Sequence, residues 1–286
     1  VVTTLVRFWM PPPASVGLQG LQHSAHDVLF LHDDSWRDEQ GERHLDQQIF
    51  DEVFRMIAEA DELIVLDMFL FNAWQGPVPE EHRALSEELT SALIARRERS
   101  ADLPIIVISD PINTVYGGLE SSHFQRLQHA GISVVQTDLA RLQDSNPLWS
   151  GFWRLFIQPF GNGPGELLPN PFGAGRVSLR SYLSLLNFKA NHRKLLITDA
   201  DEQGRLRALV TSANPHDGSS AHRNIALSFS GEAALDLLAA ERALLEMNEA
   251  QNVMNQLDGV LQRMGVILPE LDRRASATAA DVASSP

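Results

Sequence analysis

Short apolar runs take turns with amphipathic stretches along most of this chain, and that alternation limits its fold more than any other feature. Residues 63–70 and 105–108 are apolar runs of strand length. Between and around them, Leu45, Ile49, Val53 and Ile57 recur every four residues with Phe50 and Phe54 beside them, which is the spacing of one helix face. Helices are also expected over residues 80–99 and 121–129, the latter stopped at Gly131 before a strand over 132–135. Further strands are expected at 28–31, 195–198, 206–210 and 224–229, with the polar turn 199–205 joining the middle two, and a long Ala/Leu-rich helix at 232–257. Strand and helix in alternation specify an α/β fold with helices packed over the sheet.

A length of 286 residues fits one large domain or two small ones. The Ala/Ser/Thr-rich end from Ala275 has no period, so we expect a domain over residues 1–268 and a flexible tail or linker over 269–286. Without cysteine, the chain has no disulfide, thiolate nucleophile or cysteine-held zinc. A formal net charge of −14 opposes binding to polyanions and weighs against nucleic acid as a partner, although acidity can also serve solubility alone. No apolar run approaches the roughly 18 residues a membrane-spanning helix needs. The chain opens Val1-Val2 without methionine, as expected where an upstream signal or anchor has been removed. His23, His26 and His32 beside Asp33 and Asp34 read as a solvated loop rather than a metal site.

Residues 146–175 interrupt the alternation with many Pro and Gly residues and six aromatics: Trp149, Phe152, Trp153, Phe156, Phe160 and Phe172. The first four share one helical face, which packs on its own domain, meets a lipid interface or lines an acyl-chain groove.

Both lysines of the chain fall within Lys189-Ala190-Asn191-His192-Arg193-Lys194, whereas arginine is plentiful elsewhere. An ammonium is a compact charge on a flexible stem that arginine does not mimic, so Lys194 is a candidate for chemistry. His192 and Lys194 are two residues apart in an extended segment and project to one face. Imidazole is a good nucleophile toward phosphorus near neutral pH and a good leaving group afterwards. Lys194 can hold non-bridging oxygens as charge builds, and Ser212 and Asn214, again two apart, can supply neutral donors to the same phosphate. Asp110, ending a buried strand, lies where α/β sheets place ligand loops, or it caps a turn. The scheme calls on no metal and no cofactor.

His192-x-Lys194 with Asp199, followed by Ser212 and Asn214, resembles the HxKx4D and GSxN motifs of the phospholipase D superfamily. The run Asn191-His192-Arg193-Lys194 is most similar to its cardiolipin synthase and bacterial phospholipase branch, and His222-Arg223-Asn224-Ile225-Ala226 agrees with it. The resemblance implies a mixed sheet flanked by helices on both faces. It also implies phosphodiester hydrolysis or phosphatidyl transfer on glycerophospholipids through a phosphohistidine, with His192, Lys194 and Asp199 catalytic and Ser212 and Asn214 holding phosphate. Asp199 takes a supporting role, or serves only as a turn former. The implied setting is bacterial, at a membrane periphery or in the cytoplasm, with phospholipid as substrate; a nuclease with the same site is the alternative. This chain has Thr211 where the pattern has glycine, and a longer interval between Asp199 and Ser212. Such enzymes use two copies of the motif, one histidine attacking and the other protonating the leaving group. With one copy here, we expect a second half in the same polypeptide or in a homodimer, and the chain alone is otherwise a catalytically incomplete half. Which of the two roles His192 takes stays open.

Overall fold

The computed structural model, described over residues 23–75, 83–199 and 204–281, builds on one eight-stranded mixed sheet. Its strands are β1 (His26–Arg37), β2 (Arg43–Gln47), β3 (Ile64–Met68), β4 (Ile105–Ser109), β5 (Ser133–Gln136), β8 (Lys194–Thr198), β9 (Arg207–Thr211) and β10 (Asn224–Ser230). A separate two-stranded ribbon joins β6 (Leu168–Pro169) and β7 (Arg176–Val177). The sheet order is β2-β1-β10-β9-β8-β3-β4-β5, parallel across β3-β4-β5 and antiparallel elsewhere. Strands β3 and β4 are buried along their whole length, which is why they read as apolar runs without alternation.

On one face lie α1 (Ile49–Glu59), α2 (Leu85–Arg99) and α3 (Ser122–His129); on the other α6 (Glu232–Met247), α7 (Gln251–Arg263) and α8 (Leu268–Asp281). Two shorter helices lie between β5 and β8: α4 (Pro147–Phe156) in the aromatic segment and α5 (Leu179–Leu185) just after it. The chain is thus an α/β protein with a mixed sheet flanked by helices on both faces, as expected. Alternate residues separate the two cores: Ile64, Leu66 and Met68 of β3 meet the first helical layer, and Val65, with Leu63 just before the strand, meets the second. Each large apolar side chain so buried contributes about 1.5–3 kcal/mol.

Several boundaries differ from the sequence reading. Leu45 lies in β2, and α1 starts at Ile49 because the buried Asp33 carboxylate accepts hydrogen bonds from the Gln48 and Ile49 N–H groups, 2.9 and 3.1 Å. The strand expected over 28–31 extends to twelve residues in β1 and takes in His26 and His32, which were read as loop, while His23 precedes it. The helix expected over 232–257 is two helices, broken where Glu249 takes a left-handed φ of +56° and the Asn248 side chain bonds the Leu244 carbonyl. Past residue 268, α8 covers the start of the segment read as a tail; its Leu271 is buried and Arg274 bonds Asp236 and Glu232. Residues 80–82, 200–203 and 282–286 of the expected helix, turn and tail lie outside the described residues.

Among the described residues, the second helical layer stops short of one end of the sheet. Phe30, Leu227 and Val210 stand in register across β1, β10 and β9, with Ile225 beside them, and all four are exposed.

Candidate active site

His192 sits just before β8, where that strand runs antiparallel to β3, and its loop is held from both sides. The Phe69 N–H bonds the Arg193 carbonyl at 3.1 Å, which fixes the entry into β8 against the end of β3. Before the histidine, the Asn191 N–H donates to Asp110 Oδ2 at 2.6 Å, and its side-chain amide reaches both Asp67 oxygens, 3.0 and 2.9 Å, and Thr137 Oγ1, 3.0 Å. After it, Arg193 Nη1 reaches Glu241 Oε1 at 3.2 Å. Both flanks of His192 are therefore anchored in the interior, while the imidazole itself is exposed.

The ring packs on Phe69, centroids 4.5 Å apart. Lys194 Nζ lies 3.2 Å from His192 Nδ1 and 3.3 Å from Nε2, and 5.1 Å from the centre of the same phenyl ring. Desolvation, then the Lys194 charge, lowers the His192 pKa, so the imidazole is neutral at pH 7. Burial lowers the Lys194 pKa as well, opposed by the charge on Asp67. Among the described residues no carboxylate lies within ion-pair distance of Lys194. A buried ammonium next to a neutral, accessible imidazole can bind an anion and present it to a nucleophile in one place.

The other predicted residues are distributed unevenly. Asn214 Oδ1 accepts from the Leu70 N–H at 3.1 Å, one residue beyond the phenylalanine under His192, which puts it beside the pair. Ser212 turns to β10 instead: its hydroxyl donates to Asn224 Oδ1 at 2.9 Å and accepts from the Ile225 N–H at 3.1 Å. Asp199 follows the far end of β8, about 16 Å from Lys194 at the rise of a strand. There its carboxylate accepts from the N–H groups of Asp61, 2.9 and 3.0 Å, and Leu63, 3.1 Å, pinning the loop between α1 and β3. Lys189, the other lysine, is enclosed by Asp144 at 2.7 Å and the Leu142 carbonyl at 2.8 Å.

The anchoring carboxylates were not expected from the sequence in this role. Asp67 interrupts an otherwise apolar strand and Glu241 an Ala/Leu-rich helix, and an acid in such a place was the available signal. Desolvation raises both, Asp67 well above the usual carboxylate range with the Glu241 charge adding to it. Burial also pushes Asp110 up to about 6, against the hydrogen bonds it accepts from the Ile112 and Asn191 N–H groups. Asp110 caps the 3₁₀ turn Pro111–Thr114 and holds Asn191 at once.

No family model and no curated protein matches the sequence. Among solved structures, the chain is similar to Nuc, a phospholipase D family member from Salmonella typhimurium, at 14% identity and a TM-score of 0.37, over 80% of this chain and 95% of that one. It is also similar to polyphosphate kinase from Porphyromonas gingivalis at 12% identity and a TM-score of 0.35, over 76% of this chain and 26% of that one. At these scores the likeness assigns neither a family nor an activity.

Proposed function

We propose that this chain is one half of a phospholipase D-like enzyme that cleaves or exchanges the phosphodiester of glycerophospholipids through a phosphohistidine on His192. The observation that carries the reading is the neutral, exposed imidazole of His192 against a buried Lys194 with no carboxylate within ion-pair distance among the described residues. A ring nitrogen attacks phosphorus, the bond from phosphorus to the leaving alcohol breaks, and the alcohol takes a proton from a general acid. Water or a second alcohol then attacks the phosphohistidine, the N–P bond breaks, and hydrolysis or phosphatidyl transfer results. Lys194 and the Asn214 amide stabilise the charge gathering on the non-bridging oxygens. Asp199 acts at a distance, by fixing the loop into β3. Ser212 reaches phosphate only after leaving Asn224.

A second half supplies the general acid in this scheme. The exposed row Phe30, Leu227 and Val210 supports it, because an apolar sheet face that none of the described helices covers is a surface for another protein layer. Head-group release from phospholipid vesicles, compared with His192→Ala over a range of protein concentrations, tests the proposal. Release absent from the variant and rising faster than concentration supports a paired phospholipid site. Release retained by His192→Ala refutes it.

A further inference from the structure

The insertion between β5 and β8 turns Phe152, Phe156 and Phe160 outward and its tryptophans inward, while Phe172 stacks on Trp74. Trp149 Nε1 donates to the Leu183 carbonyl at 3.0 Å, and Trp153 lines a cavity of about 290 Å³ beneath α4. Phe156 is 60% exposed, Phe160 68% and Phe188 68%, with Leu148 and Phe152 also open to solvent. Phe188 keeps this exposure in a left-handed backbone at φ +52°, a costly conformation for a bulky residue, four positions before His192.

Charge separates this segment from the rest of the chain. Residues 145–198 hold one carboxylate, Glu166, against Arg154, Arg176, Arg180, Lys189, Arg193 and Lys194, in a protein of net charge −14. Arg154, Lys189 and Arg193 spend their charge on buried carboxylates. Arg176 and Arg180 are exposed and bond backbone carbonyls, Glu166 and Leu167 for the first, Phe160 and Gly161 for the second, and Arg180 lies 5.6 Å over the Phe160 ring. We infer that this face docks on the surface of an anionic phospholipid bilayer, with Phe152, Phe156 and Phe160 in the interface and Arg176 and Arg180 on lipid phosphates. The inference rests on the glycerophospholipid reading above. A second copy of the same cationic face would repel it, and outward phenylalanine and leucine side chains suit the acyl boundary. Because the segment ends at the His192 loop, docking brings the site to the head groups.

Cosedimentation of the full chain with phosphatidylcholine vesicles, and with vesicles containing phosphatidylglycerol, tests this. We expect the wild type to bind the anionic vesicles. Phe152→Ser combined with Phe156→Ser should weaken binding about a hundredfold or more, the order of the transfer cost of two phenyl groups, with unchanged thermal unfolding. Arg176→Gln combined with Arg180→Gln should remove the preference for phosphatidylglycerol, roughly fivefold per charge. His192→Ala should bind like the wild type. Turnover of the soluble diester bis(p-nitrophenyl) phosphate, measured beside it, separates the two proposals: vesicle binding without turnover overturns the phosphohistidine reading and keeps the docking face, and turnover without vesicle binding does the reverse. Equal binding by the phenylalanine variant overturns the docking face, as does single-stranded DNA binding that depends on the same arginines, or a dimer that this variant dissolves.

Discussion

The chain's two lysines lie five residues apart and have opposite surroundings. Lys189 is sealed in a buried cluster with Asp144 and Arg154, in which Asp144 lies 2.7 Å from the ammonium and 2.6 Å from the guanidinium. Lys194 is equally buried but meets an imidazole and a phenyl ring, with no carboxylate at ion-pair distance among the described residues. A buried cation with a matched anion holds structure together, because removing either charge strands the other. A buried cation without one is kept at a cost in desolvation, and such placement marks sites where an anion arrives from outside.

Substitution at each lysine should pull these roles apart. The largest effect is expected for Lys194→Met: phosphodiester turnover falls about 10²–10³-fold, while stability to urea changes by about 1 kcal/mol, because the His192 carbonyl and ring lose a donor but no buried carboxylate is stranded. A comparable stability loss at both lysines would erase the contrast. Lys189→Met should instead cost about 3 kcal/mol of stability in urea titration, with turnover per folded molecule close to wild type.

The Asp144 cluster also predicts an acid dependence. Burial alone would raise the Asp144 carboxyl, but hydrogen bonds from Arg154 and Lys189 outweigh it and hold it down to about 2. A carboxyl depressed on folding stabilises the fold above its unfolded value of 3.8 and loses that contribution as pH falls toward about 2. Thermal unfolding of Asp144→Asn against wild type should therefore differ most at neutral pH and converge in that acid window.

Smaller effects sharpen the site itself. Asn214→Ala should lower turnover about tenfold, by loss of one donor and of the bond that sets Leu70, whereas Ser212→Ala should cost less than about threefold, its hydroxyl being held by Asn224 and Ile225. The smallest shift concerns pH. The attacking imidazole must be neutral, so turnover falls as pH drops through the His192 pKa, which burial and Lys194 hold below 6.5. Lys194→Met removes the second influence, and the acid limb of its residual activity should move upward.

Much of the architecture could be read directly from the chain. The apolar runs at β3 and β4 and the four-residue recurrence through α1 need only local periodicity, which is set by how side chains project from strand and helix. Boundaries failed where a distant residue decided them: Leu45 fits the period of α1, but the Asp33 cap starts the helix at Ile49. The break at Glu249 was hidden because an Ala/Leu-rich pattern continues on both sides of it. At the site, the proximity of His192 and Lys194 followed from strand alternation. Asp199 and Ser212 look equally close in the motif, yet one lies at the opposite end of β8 and the other turns to β10.

What the sequence determined alone was the α/β class, the helix faces and the pairing of His192 with Lys194, all consequences of spacing along one segment. Tertiary structure decided which lysine is neutralised, which aromatics face water and which carboxylates hold the His192 loop. Those outcomes depend on groups far apart in the chain, such as Asp144 with Lys189 and Asp67 with Asn191. Burial and charge pairing are settled only when distant segments meet, and no local pattern records that meeting.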